Sequence, residues 1–387
     1  MKYGLALEGG GARGAYHIGV IRALQENGYE FGAVAGTSVG AINGALLAQG
    51  DFSVMEEIWK HWSFSDIFDI EDEHISRAMR KDLDMDVIRY LSKQLGKALK
   101  EKGIDTLKLR KVLEDIVQEN KLRNSPIDFG LVTVCISDKQ AQELFLEDIP
   151  EGKVVDYIMA SSSLPVFKTM KIGDKQYLDG GMYDNCPVHM LEKKGYQDVI
   201  AVRTFKRMRI RDYKNIVKRN HVTIHMISPT DTLPNILNFD TQALNQMLTI
   251  GYYDGLRFVH HLEGYRYYIQ KTSEKEIQEL LEKIPADKIV DMAQLLRIDL
   301  IRNAHIRDTL YFRILPILAS KTQIKQTTTT KKDVIAILEE VALRNKVERF
   351  CVYPSFQKWI AAIQKAVVNK VGRNRYEKAM YLLVKSM

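Results

Sequence analysis

Ser38 stands in Gly36-Thr37-Ser38-Val39-Gly40, a G-x-S-x-G pattern, and Asp179 opens Asp179-Gly180-Gly181. A serine hydroxyl raised on a tight turn can attack an acyl carbonyl if a base takes its proton and N–H donors hold the oxyanion. Asp179 is one base on offer, because the glycines beside it remove side-chain bulk and let another backbone come near. His189 is the other, since Ser38, Asp179 and His189 follow the chain order of a Ser–Asp–His triad. Against it, a histidine just after Pro187-Val188 also suits a purely structural or exposed role. For the donors, Glu8-Gly9-Gly10-Gly11-Ala12-Arg13-Gly14 offers bare backbone N–H groups ahead of a helix, a setting that suits any anion. Gly9, Gly11 and Gly14 also match the G-x-G-x-x-G of a dinucleotide site. Glu30, the acidic residue at the right distance, precedes the second strand and so lies at the wrong end to meet a ribose. Ala15-Tyr16 after Gly14 exclude a P-loop.

Positioning these groups requires a strand–turn–helix unit. The apolar run Phe31–Ala35 reads as a buried strand that breaks at Gly36, and a small-residue helix starts after Ser38 and runs to about Gln49. Before it come a strand at Tyr3–Leu7 and a helix over Ala15–Glu26, closed by Gly28 at the C′ position. Strand, helix, strand, helix within fifty residues predicts a parallel sheet with helices on its faces. Residues 51–124 read as a helical insert, with Val54, Ile58, Trp62, then Val87, Ile88, Leu91 and Leu95 at helical spacing. Its aromatic group (Trp59, Trp62, Phe64, Ile67, Phe68) reads as core, with an apolar rim or lid over the site as the alternative. Strands resume at 129–136 and around 144–146. A helix spans 154–161, and the brief strand Tyr177-Leu178 delivers Asp179. Two further strands at 199–204 and 222–227 read as buried, and a helix follows near 241–256. Beyond Lys271 apolar residues fall only at helical spacing, and Thr330 with Asp333 forms an N-cap pair. The expected division is therefore 1–270 and a basic, all-helical 271–387.

Hydrophobic residues at 45% and charged residues at 27% of 387 describe an ordinary globular composition. Phe31 to Gly50 carries no charge, but its five glycines and its Thr, Ser, Asn and Gln residues make it a poor hydrocarbon span. Nothing after Met1-Lys2 has the form of a signal peptide. Cys135, Cys186 and Cys351 fit neither a disulfide framework nor a zinc spacing, so a reducing cytoplasm is expected. The net charge of +7 is uneven: from Lys321 onward 14 Lys and Arg face 5 Asp and Glu, leaving 42 against 44 before it. That basic stretch is either a solvated face or a surface seeking anionic lipid headgroups or an acidic partner, with peripheral membrane placement in the second case.

Four stretches together resemble the patatin-like phospholipases of the bacterial, cytosolic type: Gly9–Gly14, Gly36–Gly40, Ala160-Ser161-Ser162-Ser163-Leu164-Pro165, and Asp179-Gly180-Gly181 with Asn185 and Pro187 following. The resemblance covers roughly residues 1–270. It implies a three-layer α/β/α sandwich on a mainly parallel sheet, and hydrolysis of phospholipid or other acyl-ester lipid by a Ser–Asp dyad. On this resemblance Ser38 is the nucleophile and Asp179 the base. Gly9, Gly10 and Gly11 form the oxyanion hole, with Arg13, Gly14, Gly36, Gly40, Gly180 and Gly181 supporting. No metal, cofactor or nucleic acid is expected. A general carboxylesterase, a triad hydrolase using His189, and a non-catalytic lipid-binding protein on the same scaffold remain as alternatives.

Overall fold

The computed structural model describes residues 2–67, 86, 103–206, 210–211, 222–300, 305–322, 324 and 329–387. Phe68, Val87, Ile88, Leu91 and Leu95, and so much of the expected insert, lie outside them. The chain divides into two units, Met1–Gly255 and Leu256–Met387.

In the first unit, β1 (Tyr3–Leu7) pairs in parallel with β2 (Phe31–Thr37), and the sheet grows on both sides. The other strands are β3 (Asp128–Cys135), β4 (Gln140–Phe145), β5 (Met170–Ile172), β6 (Lys175–Asp179), β7 (Asp198–Val202) and β8 (Thr223–Ile227). Their order is β5-β6-β3-β2-β1-β7-β8, with β4 also on β3. The stretch β3-β2-β1-β7-β8 is parallel, while β4, β5 and β6 extend it antiparallel. β1, β2 and β7 are almost wholly apolar because both of their faces are covered. The helices α1 (Gly14–Glu26), α2 (Val39–Ala48) and Val154–Ser161 belong to one layer, where Val34 and Phe129 lie under Gly44 of α2. On the opposite face, Ala6, Ala33, Ala35 and Ala201 pack against Val188 and Leu191 of helix Val188–Lys193. The result is the three-layer α/β/α sandwich.

Several boundaries move for identifiable reasons. The uncharged run from Phe31 to Gly50 is split between β2 and α2. No helix among the described residues is long and apolar enough to cross a membrane. β8 is an edge strand with most of its residues partly exposed, so of the two strands expected to be buried only β7 is. β6 is longer than the expected two residues because it pairs with both β3 and β5, and β5 itself, Met170–Ile172, is too short to register as a strand on its own.

The second unit is helical, with Glu274–Glu282, Ala286–Leu296, Thr330–Arg344, Phe356–Val367 and Arg375–Ser386 around Trp359, Ile337, Leu338 and Leu383. A short parallel pair, Tyr268–Ile269 with Val352–Tyr353, joins the segment before residue 271 to this unit. Helix Thr330–Arg344 is capped one residue earlier than expected: the Thr329 hydroxyl accepts the Lys332 N–H. Its buried Glu339 receives the N–H groups of Tyr265, Arg266 and Tyr267, which locks the entry segment onto the helix.

Candidate active site

Ser38 sits at the β2–α2 junction with φ 56 and ψ −125, a region that side chains other than glycine rarely enter. Holding it there costs on the order of 1–3 kcal/mol, which the surrounding packing must supply. The packing is visible. A Cβ on Gly36 would run into the Gly40 carbonyl, and one on Gly40 into the carbonyl of Leu7 on β1. The pattern's two glycines are thus a steric requirement of folding the helix back over the sheet. Two bonds pin the turn: the Ser38 N–H donates to Ser161 Oγ at 2.9 Å, and Thr37 Oγ1 donates to the Asp184 carbonyl at 2.8 Å.

Asp179 ends β6, opposite Thr133 of β3. Gly180 then passes directly over β3, where a Cβ would meet the Val132 carbonyl. The carboxylate is 3% exposed, and its Oδ1 accepts the Gly181 N–H at 2.7 Å. Oδ2 is buried without a hydrogen-bond partner of normal geometry. The carboxyl is raised from 3.8 to about 6, chiefly by burial, with the Gly181 N–H and then the Ser38 hydroxyl pulling it back down. The Ser38–Asp179 contact is therefore felt electrostatically but is looser than a formed hydrogen bond, as such contacts often are before substrate tightens them. The segment Ser161–Ser163 links the two groups. Its first hydroxyl holds the Ser38 N–H, and the Ser163 carbonyl accepts the Asp179 N–H at 2.8 Å.

The glycine loop comes to the same place. Gly9, Gly10, Gly11, Ser38, Asp179 and Gly181 line one cavity of about 180 Å³. The Gly9 N–H, however, donates to the Asn185 carbonyl at 2.9 Å. Gly9 is thus a structural member of the loop, and the expectation that it donates to an oxyanion is corrected. Gly10 and Gly11 have N–H groups with no acceptor among the described residues, and so does Val39, the first residue of α2. A helix N-terminus behind Ser38 adds to their pull on negative charge.

What holds the loop is mostly outside the motifs. Glu8, fully buried, pairs with Arg203 at 2.9 Å and accepts the N–H groups of Thr204 and Phe205 at 2.6 and 3.0 Å. Thr204 Oγ1 in turn donates to the Gly9 carbonyl at 2.6 Å. Arg13 reaches the carbonyls of Pro234 and Thr204 and lies over the Phe205 ring. The Gly14 carbonyl accepts Asn43 Nδ2, fixing α1 to α2. His189 is elsewhere: its ring bonds Glu192 at 2.9 Å, and it lines neither cavity reached by Ser38.

The second of those cavities, a narrow recess of about 60 Å³, lies against Gly11, Ser38 and Val39 and between Trp59, Trp62, Ile67, Leu109, Phe167 and Phe239. Its aromatic wall is fixed, with Trp59 edge-on to Trp62 at 5.0 Å and its indole N–H on Asn43 Oδ1 at 2.8 Å. Trp59, Trp62 and Ile67 of the insert are therefore core and cavity wall at once. A hydroxyl beside a buried carboxylate, free N–H groups and an apolar recess together suit acyl transfer from an ester with an apolar acyl group.

A sequence model of the family described as patatin-like phospholipase matches residues 5–192, a span that holds both Ser38 and Asp179. Residues 5–192 thus form a patatin-like phospholipase domain. Among curated relatives, a patatin-like phospholipase domain-containing protein of Caenorhabditis elegans is 28% identical over 61% of this chain and 16% of its own length. A lysophospholipase of Debaryomyces hansenii is 29% identical over 51% of this chain and 11% of its own. An uncharacterised NTE family protein of Mycobacterium bovis is 39% identical over 48% and 44%. This patatin-like chain thus spans less than half the length of each. Among solved structures, VipD from Legionella pneumophila overlaps 94% of this chain and 90% of its own at 16% identity, with a TM-score of 0.38, too loose a match to transfer anything to the site.

Proposed function

We propose that the chain is a serine lipid acyl hydrolase of the phospholipase A or lysophospholipase type, working through a Ser38–Asp179 dyad. Ser38 Oγ attacks the ester carbonyl carbon while its proton passes to Asp179. The N–H groups of Gly10 and Gly11, with that of Val39, hold the oxyanion. As the tetrahedral species collapses, the ester C–O bond breaks and the leaving alcohol takes the proton from Asp179. Water then attacks the acyl-enzyme with Asp179 again as base, releasing a fatty acid and restoring Ser38. The observation that carries this reading is the junction of the strained Ser38 with a carboxyl raised to about 6 in one cavity. A base poised near neutral pH is worth far more than an ordinary aspartate.

The apolar recess between Trp59, Trp62 and Phe239 offers a hydrocarbon wall to the acyl group of a lipid ester. A cytoplasmic setting goes with the three unpaired cysteines. The test is fatty-acid release from phospholipids, lysophospholipids, triacylglycerols and short esters by wild type, Ser38→Ala and Asp179→Asn, beside labelling with a fluorophosphonate. Release by wild type alone, with label on Ser38, is expected. Folded protein that binds lipid while Ser38 resists the label would make this a binding protein instead. Loss of activity in folded His189→Ala would restore the triad, and full activity in that variant removes it.

A further inference from the structure

The last 39 residues, from Arg349, hold eight Lys and Arg and a single acidic residue, Glu377. That carboxylate is turned inward, 7% exposed, accepting the Arg373 N–H and the Tyr381 hydroxyl. The exposed charges that this stretch itself contributes are accordingly all cationic. The neighbouring helix Ala286–Leu296, which packs on Arg375–Ser386, carries the exposed carboxylates of Asp287 and Asp291, each paired with Lys288. Helix Phe356–Val367 buries Trp359, Ile360, Ile363 and Val367, and so presents Lys358 and Lys365 on its exposed side. The loop after it carries Lys370, Arg373 and Arg375, all exposed, and between them Val368 and Val371, 64% and 82% exposed. The loop has a fixed shape. Gly372 lies against the Glu377–Lys378 backbone, and Asn374 caps helix Arg375–Ser386 by accepting the Glu377 N–H.

Two apolar tips held out by a capped loop, interleaved with three exposed cations and no acidic residue of the loop itself, gain nothing from water. We propose that the loop Val368–Arg375, with the lysine face of helix Phe356–Val367, docks on an anionic lipid bilayer, the valines entering the headgroup boundary and the cations meeting lipid phosphates and carboxylates. A nucleic acid fits less well, because Tyr376, the aromatic residue at the loop, is covered by Lys321 and Arg375 rather than open to a base. The choice of a bilayer rests on the acyl-lipid reading of the Ser38 site, but the binding can be measured without it.

The experiment uses full-length Ser38→Ala protein, so that vesicles are not consumed and adsorption is read whether or not the wild type is a hydrolase. Co-sedimentation is compared on phosphatidylcholine vesicles and on vesicles with about a third phosphatidylserine, at about 0.1 M and about 0.5 M NaCl. Binding is expected on the anionic vesicles alone, with sharp loss at high salt. Lys370→Gln, Arg373→Gln and Arg375→Gln together should weaken it on the order of a hundredfold. Val368→Ser with Val371→Ser should weaken it about tenfold without altering its salt dependence. In a wild-type Ser38 background, both sets should leave hydrolysis of a soluble short ester unchanged. Equal adsorption to both vesicle types, undiminished binding by either folded loop variant, or retention on RNA with none on vesicles would each overturn the proposal.

Discussion

If Asp179 is the proton acceptor, hydrolysis must follow the ionisation of its carboxyl. Burial raises that group from 3.8 to about 6. Its ionised fraction should then climb from about a tenth at pH 5 to about nine-tenths at pH 7. The assay is kcat/KM on a short soluble ester from about pH 4.5 to about 8.5, a quantity that reports groups of the free enzyme. Acid release should be measured directly, since a pH-sensitive dye would distort the curve. The expected profile rises with unit slope, breaks at about 6 and then levels. Asp184 is a confounder, since burial raises it to about 6 as well, but its Oδ1 takes the Cys186 N–H and it lines neither cavity. The break should survive in Asp184→Asn and vanish with the activity in Asp179→Asn. Stability gives a second reading with a definite sign. A carboxyl raised in the fold binds its proton more tightly when native, so stability is lost as pH rises from about 4 through about 6. Two units at about 1.4 kcal/mol each make Asp179→Asn more stable than wild type by up to about 3 kcal/mol above that range, and equal to it below. A profile that is flat, or that breaks near 4, would refute the assignment of Asp179 as a buried base.

Three more outcomes follow from the same geometry. Ser38→Gly should abolish hydrolysis yet raise unfolding free energy in urea by about 1 kcal/mol, because glycine tolerates φ 56 at no steric cost. Gly40→Ala, whose Cβ meets the Leu7 carbonyl, should destabilise by about 3 kcal/mol or more. Gly44→Ala, whose nearest neighbour is the Val34 Cγ2 at 3.2 Å, should cost much less in the same denaturation series. Ser161→Ala strands the Ser38 N–H and should lower kcat about tenfold with KM little changed, whereas Ser161→Thr, keeping the acceptor, should recover most of the rate.

The elbow was legible in the sequence because its constraint is local. Two glycines flank the serine at the spacing where helix and strand backbones touch, and no distant residue is needed to see that. The same holds for β1, β2 and α1, where an apolar run or a helical period states the element directly. Legibility fails where a partner far along the chain decides. The Gly9 N–H reads as available until the carbonyl of Asn185, 176 residues on, takes it. β5 and the full β6 exist through pairing, so their own composition says little. Glu8 did carry a signal: a carboxylate at the end of a wholly apolar strand has to find donors, and it finds them in Arg203, Thr204 and Phe205. Which donors those are could not be read from spacing. The Trp59–Trp62 group reads correctly as core, but only the fold reveals that one side of that core is a cavity wall.

A single carboxylate is a weak base for an alcohol, so the environment must make up the difference. Here the position and the strength of Asp179 have one origin. Gly180 lets β6 end directly against β3, and that close approach both aims the carboxyl toward Ser38 and strips it of water. The Gly181 N–H is supplied to it, with the Ser38 hydroxyl a lesser pull, enough to orient Oδ1 without quenching the basicity of Oδ2. A second strong donor near Oδ2 would pull the carboxyl back toward its ordinary value, and so would any opening that admits water. The Asp179 N–H on the Ser163 carbonyl forms a seal on one side of the carboxyl, and Leu164 and Pro165 line the cavity beside it. Substitutions that widen the cavity at Leu164 or Pro165, next to that seal, should then weaken the base even as they make room for substrate.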